Sequence, residues 1–145
     1  MRVIVALGLL FTGVGLAWAN LEQARAEPNL ERRSGLAMDN AKAALKEARE
    51  AYNSGDLRLV AGKLAEIQES VEFSYQSLVD TKKDPRKSPK WFKRAEIESR
   101  DLLRSMDTLQ HDMSFEDRGM VDKIRETVQR VHDDLLTGLM EGKRR

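Results

Sequence analysis

Cysteine is absent from this chain of 145 residues. The protein therefore forms no disulfide, offers no thiolate ligand to a metal and has no cysteine for a nucleophile or a c-type haem. It also lacks the cysteine on which bacterial lipoproteins carry their lipid. Histidine occurs only twice, and no glycine-rich phosphate loop is present. We therefore expect a protein that is not an enzyme and that holds no cofactor.

Aromatic residues are scarce at 6%, and the chain has only three prolines and nine glycines. Charged residues make up 34% of the sequence, with a formal net charge of +1. Without residues 1–19, which include Arg2, the chain has 24 residues of each sign. A neutral domain argues against a specific nucleic-acid partner, because such proteins usually carry a clear basic excess. The composition is typical of long amphipathic helices.

One uncharged apolar run, Val3 to Ala19, follows Met1 and Arg2 and ends on Ala17-Trp18-Ala19. This pattern predicts a secretory signal peptide over residues 1–19, or to residue 26 if the second small-residue site, Ala24-Arg25-Ala26, is cut. The alternative is a membrane anchor, although 17 residues are few for about 30 Å of hydrocarbon. We expect a periplasmic or secreted protein, or one anchored in the inner membrane with its domain outside the cytoplasm.

Apolar residues recur every three to four positions in four segments, at about 30–53, 57–81, 89–113 and 114–142. Gly55 suits the end of the first helix and Asp56 the cap of the second, while Ser88-Pro89 suits the start of the third. Residues 114–117 have the spacing of a capping box that opens the fourth helix. The segment 48–56 resembles the turn of tetratricopeptide-type hairpins. No second copy follows 34 residues later, so a repeat array is not expected.

Short connections between helices favour antiparallel neighbours. We therefore predict an all-α fold, an antiparallel up-down-up-down four-helix bundle that occupies residues 27–145 as a single domain. The first helix carries a stripe of small residues at heptad spacing, at which a neighbouring helix can approach closely. An alternative arrangement is therefore two helical hairpins that pair as a homodimer through Ala37, Ala41, Ala44 and Ala48.

The strongest local charge bias lies in residues 82–94, which hold seven basic residues and one acidic residue. In the predicted bundle this segment lies at the same end as the start of the first helix and residues 143–145. Bases interleaved with aromatics can bind lipid headgroups, an anionic polymer or an acidic protein face, although a solvated loop is the simpler interpretation. The candidate anion- or lipid-binding residues are Lys82, Lys83, Arg86, Lys87, Lys90, Trp91, Lys93 and Arg94.

Two weaker patterns suggest metal chemistry. Asp107 and His111 stand four residues apart on one helix face with Met113 nearby, which is a candidate metal site. His132 and Met38 together resemble the haem ligands of cytochrome b562-type periplasmic proteins. No glutamate precedes a histidine by three residues, so the di-iron pattern is missing.

The sequence therefore favours an exported, non-enzymatic helical bundle of a bacterial-type cell envelope. We expect it to bind or act as a scaffold through its basic, tryptophan-bearing end. The alternative is a periplasmic metal- or haem-binding four-helix bundle.

Overall fold

The computed structural model describes residues 20–142, so the predicted leader, residues 1–19, and the basic residues 143–145 lie outside the described part. The described chain forms helices without strands, which confirms the all-α prediction. None of these helices has the length and apolar character needed to cross a bilayer. The five helices are α1 (Glu22–Ala26), α2 (Leu30–Asn53), α3 (Leu57–Asp80), α4 (Pro89–Asp112) and α5 (Gly119–Glu141).

The ends of α2 and α3 follow from local capping. The Asn29 side chain accepts a hydrogen bond from the Arg32 amide at 3.0 Å, so α2 begins at Leu30. Gly55 takes a left-handed conformation with φ of 76° between the two helices. Asp56 then accepts from the Leu59 amide at 3.0 Å, as the sequence predicts, and α3 begins.

The predicted start of the last helix is wrong by four residues, because residues 114–117 do not form a capping box. In a capping box the Ser114 amide would donate a hydrogen bond to the side chain of residue 117. It donates instead to the Tyr52 hydroxyl of α2, at 2.8 Å. Asp117 accepts from the Ser114 hydroxyl at 2.8 Å and from the Tyr52 hydroxyl at 3.0 Å. Residues 115–118 are consequently a turn that is fastened to α2, and α5 begins at Gly119.

The four long helices form two antiparallel hairpins. In the first, Ser34 of α2 bonds to Ser74 of α3 at 2.9 Å. In the second, Glu96 of α4 contacts His132 of α5 at 3.0 Å. Each helix therefore runs opposite to its partner within the hairpin.

The two hairpins lie side by side with α2 next to α4 and α3 next to α5. Lys42 contacts Glu98 at 3.3 Å, and Arg49 bonds to the carbonyl of Ser105 at 3.2 Å, so α2 and α4 run parallel. Around the bundle the order is α2, α3, α5, α4, and α3 and α4 make few contacts. The expectation that every helix lies beside the next is therefore wrong for α3 and α4, because the loop 81–88 crosses the bundle end.

The alanine stripe of α2 is used inside the chain. Ala41, Ala44 and Ala48 are fully buried in the main core, and Ala37 is fully buried beneath α1. The homodimer predicted through these residues would require a surface that other parts of the same chain already cover.

Helix α1 was not anticipated from the sequence. Leu21 and Ala24 are buried against Ala37, with Phe73 partly buried beside them. Arg25 forms an ion pair with Glu69 and lies 5.7 Å from the centre of the Phe73 ring. The residues of α1 are thus packed against the bundle, although they lie between the two candidate cleavage sites, after Ala19 and after Ala26.

A polar seam runs between α2 and α3 beside the alanines. Lys63 is only 7% exposed, and its Nζ lies 2.6 Å from Glu47 and 3.1 Å from Glu66. Burial alone lowers the pKa of Lys63, but the hydrogen bonds and charges of these two glutamates outweigh it, so the pKa is raised. Asn40 connects Glu66 to Ser70, with nitrogen-to-oxygen distances of 3.1 and 2.9 Å.

We predict that Lys63→Met lowers the free energy of unfolding by about 2 kcal/mol at neutral pH, because two partly buried carboxylates lose their shared cation. Because the pKa of Lys63 is higher in the folded state than in the unfolded state, the protonated lysine stabilises the fold at lower pH. This stabilisation is lost as the pH rises through the folded-state pKa. The variant should therefore lack that alkaline loss of stability. Urea unfolding across pH measures both effects. Lys46→Met, an exposed change on α2, is the control; equal stability of Lys63→Met and the parent would contradict the prediction.

Candidate anion-binding site

The segment 82–94 lies where the start of α2 and the end of α5 meet, and we call this region the basic end. Lys83 Nζ contacts Glu31 Oε1 of α2 at 2.6 Å. A Cβ atom at Gly138 of α5 would lie 3.3 Å from the buried Pro85. The segment 82–94 thus lies at the bundle end that helix topology predicts, beside the start of α2 and the end of α5.

Asp84 organises the loop between α3 and α4. Its Oδ1 accepts from the Arg86 amide at 2.9 Å, and its carbonyl accepts from the amides of Lys87 and Ser88 at 3.1 and 2.9 Å. Lys82, just after α3, has φ of 59°. The loop is therefore a fixed turn that holds its cations in defined places.

Apart from Lys82, the cations of residues 82–94 fall into two groups. Lys83 pairs with Glu31, and Arg94 contacts Glu98 at 3.1 Å and Asp39 at 3.8 Å. Within residues 20–142, no carboxylate lies within ion-pair distance of the other exposed group, which we call the open cations: Arg86, Lys87, Lys90 and Lys93.

The open cations surround the start of α4, where the helix dipole is positive. The first turn of α4 contains no acidic residue, and the Ser88 side chain makes no capping hydrogen bond. The predicted position of Ser88 at the helix start is correct, but its hydroxyl does not satisfy the helix amides. Basic side chains are therefore clustered at a helix N-terminus, a position where acidic side chains are normally favoured.

Trp91 does not project from the basic end as an anchor. It is half-buried, and a Cβ atom at Gly35 would lie 3.1 Å from its Cζ3 atom. Lys90 Nζ and Arg94 Cζ lie 5.7 and 5.3 Å from the ring centre. The ring thus supports two cations by cation–π contact rather than offering a free apolar face.

The candidate metal residues are not brought together. Asp107 forms an ion pair with Arg125 of α5 at 2.6 Å, and this hydrogen bond raises the pKa of Arg125. His111 is exposed, whereas Met113 is buried in the main core. Among residues 20–142, no three histidine or carboxylate side chains are grouped so that they could hold a metal ion.

The histidine and methionine considered as haem ligands have other neighbours. His132 Nε2 is 3.0 Å from Glu96, and its Nδ1 is 3.2 Å from Asp133. Met38 is buried on the α2 side of the core, where it lines a small space with Trp91 and Ala95. Both ring nitrogens of His132 thus face carboxylates rather than Met38.

Sequence reasoning missed a groove of about 390 Å³ between α3, α4, α5 and the loop 81–88, which we call the end groove. Its apolar lining is Tyr75, Val79, Pro85, Phe92 and Leu135. Its charged lining is Lys82, Lys83 and Asp134. The residues come from four separate segments, so no local pattern marks them. The nearest signal is Gly138, whose missing side chain leaves room beside Pro85.

No protein-family model matches the chain, and a comparison with curated proteins finds no significant match.

We predict that iodide quenches Trp91 fluorescence roughly twofold more efficiently than caesium at low ionic strength, because the surrounding cations concentrate anions. A Trp18→Phe background isolates the Trp91 signal, and added salt should reduce the difference. Replacing Lys90 and Lys93 with glutamine should also reduce it, whereas the same change at Lys46 and Lys123 should not. Equal quenching by the two ions in the parent would contradict the electrostatic description of this end.

Proposed function

We propose that the protein is an exported, non-enzymatic helical bundle of the cell envelope that binds an anionic lipid surface through its basic end. The observation that carries this proposal is the set of open cations, which have no carboxylate partner within the described chain. Exported location rests on the apolar run and small-residue sites of residues 1–26.

Electrostatics favours an external anion at this end. A cation near a helix N-terminus is disfavoured by roughly 0.3–1 kcal/mol, and no acidic residue in the first turn of α4 compensates. An anionic partner would interact with the open cations and with the helix dipole at once. The fixed turn around Asp84 limits the conformational freedom that such binding would otherwise remove.

A surface is a better partner for these residues than a small ligand. The open cations are spread over eight residues of loop and helix and are all exposed. Such side chains can each meet a different headgroup, at about 1 kcal/mol for each basic residue near an anionic membrane. Because Trp91 is half-buried, the proposed contact is electrostatic and reversible, without an inserted aromatic anchor.

We predict that the protein binds vesicles containing phosphatidylglycerol and that Lys87→Glu, Lys90→Glu and Lys93→Glu together weaken binding by at least roughly a hundredfold. Raising salt from about 0.05 M to about 0.5 M should have a similar effect on the parent protein, since exposed charges are screened. Vesicle co-sedimentation measures both.

The matched control reverses three exposed cations away from the basic end and therefore changes the net charge equally: Lys46→Glu, Arg58→Glu and Lys123→Glu. It should retain most of the binding. Equal loss in both triple variants would indicate a response to net charge and would refute the site. Absence of binding to acidic vesicles, with binding to an anionic polymer or an acidic protein, would refute the lipid partner.

We predict that the mature protein begins at Asn20 and not at Glu27. Cleavage after Ala19 keeps α1, whereas cleavage after Ala26 removes Leu21 and Ala24 and exposes the buried Ala37. N-terminal sequencing of the protein from the envelope fraction measures this directly. A mature chain that starts at Glu27 would contradict the prediction, and an intact Met1 would replace the secreted form with an anchored one.

A further inference from the structure

Phe115 is the most exposed large apolar residue of the described chain, with 83% of its surface accessible. It does not belong to a loose loop. The Ser114 amide and the Asp117 carboxylate both bond to the Tyr52 hydroxyl of α2, at 2.8 and 3.0 Å, so the residues beside the ring are held in place. A ring presented in a fixed position loses little conformational freedom when a partner covers it.

The segment around this ring is acidic. Residues 112–117, which we call the acidic segment, hold three acidic residues and no basic residue. Asp117 is used within the fold by its hydrogen bond from Ser114. Asp112 and Glu116 are exposed, and no cation of residues 20–142 lies within ion-pair distance of either. The acidic segment is therefore the negative counterpart of the open cations, with an aromatic ring between its two available carboxylates.

The acidic segment and the end groove lie at opposite ends of the bundle. The groove is lined by the loop ahead of α4, whereas the acidic segment lies where α4 ends, and this helix has 24 residues. At about 1.5 Å for each residue, the two are roughly 36 Å apart along the bundle. Phe115 therefore cannot enter the end groove of its own chain, but it can enter that of a second copy placed head to tail.

The end groove suits a neutral ring better than a charged group. Its two lysines, Lys82 and Lys83, already interact within the protein, so neither charge is available to a ligand. Asp134 also lines the groove and would repel a carboxylate. Most of the remaining lining is apolar or aromatic, and its volume of about 390 Å³ is ample for one phenyl ring, since a cavity of roughly 150 Å³ can bind benzene.

Available positive charge lies beside the groove rather than in it. A Cβ atom at Gly142, which lines the groove, would lie 3.1 Å from the Cδ atom of Arg86. Arg86 is one of the open cations, and Lys87 follows it in the fixed turn around Asp84. A partner whose apolar residue enters the groove would therefore bring any acidic neighbours of that residue close to these two cations.

We propose that the protein associates with itself head to tail, with Phe115 of one copy in the end groove of the next and the acidic segment against Arg86 and Lys87. Charge complementarity favours a second copy as the occupant, because the ring and the available carboxylates occur together in the acidic segment. The two surfaces lie at opposite ends of the bundle, so each added copy leaves one of each exposed and open chains result. This goes beyond the lipid binding proposed above.

Sedimentation velocity over a range of protein concentrations, at low salt and without lipid, tests the proposal. We expect the weight-average mass to rise with concentration above that of one chain, and about 0.5 M salt to reduce this rise. Phe115→Ser should weaken the association at least roughly tenfold, because a buried aromatic anchor is lost. Ile97→Ser changes a residue of α4 that is 45% exposed and lies outside both surfaces, so it should have no effect. The mass of a single chain at every concentration, or equal effects of the two serine variants, would overturn the proposal.

A mixture of two variants tests the direction of the contact. Val79→Trp fills the groove from α3 and Thr137→Trp fills it from α5, so each should abolish association on its own. Mixed in equal amounts with Phe115→Ser, either tryptophan variant should form pairs of two chains and nothing larger, because one variant supplies the ring and the other the groove. Such pairs also show that both variants are folded. Failure of both tryptophan variants to form pairs, or longer chains in the mixtures, would overturn the proposal.

The lipid proposal and the head-to-tail proposal are distinguished by Phe115→Ser. This variant keeps the open cations, so it should bind acidic vesicles as the parent does. Reversal of Lys87, Lys90 and Lys93 should remove vesicle binding and also weaken the head-to-tail contact, which uses Lys87. A protein that forms chains but ignores acidic vesicles would refute the membrane surface and support the head-to-tail contact. A protein that binds vesicles but sediments as one chain would do the opposite.

Discussion

The close approach of α2 to α3 is the constraint on which the rest of this structure depends. Alanines on α2 bury little apolar area each, so they contribute less than larger residues to the hydrophobic free energy. Their small size brings the two backbones together and lets polar side chains meet across the seam, as Lys63 does with Glu47. This first hairpin offers one side to α4 and α5, and the crossing loop and end groove follow from how the second hairpin lies against it.

Helix positions were predictable because local chemistry determines them. The limits of α2 and α3 and the start of α4 agree with the sequence to within a residue, since Gly55, Asp56 and Pro89 act on their own neighbourhood. The order of helices around the bundle was not predictable, because it depends on how two hairpins pack. Helix α1 was missed for a similar reason. Five residues are too few for a periodic signal, and α1 is held by the distant Phe73.

The candidate site was predictable in place but not in detail. A run of seven basic residues is visible in the sequence, and helix topology places it at one end. Lys83 pairs with Glu31 of the distant α2, and Arg94 contacts Asp39 of α2 as well as Glu98 one turn along its own helix, so most of this pairing depends on how α2 packs. The burial of Trp91 depends on the absence of a side chain at Gly35. Side-chain pairing and shape therefore required the assembled bundle.

The docking of α1 has a mechanical consequence. Anything attached ahead of Asn20 is joined to the bundle through a helix held by two buried residues and an exposed ion pair to Glu69. A pulling force along the chain would load this small contact before the core. Its release would free residues 20–29, which span at most about 33 Å when fully extended, while the bundle stayed folded. Within the described chain, α1 is therefore the contact that would separate first under a force applied ahead of Asn20.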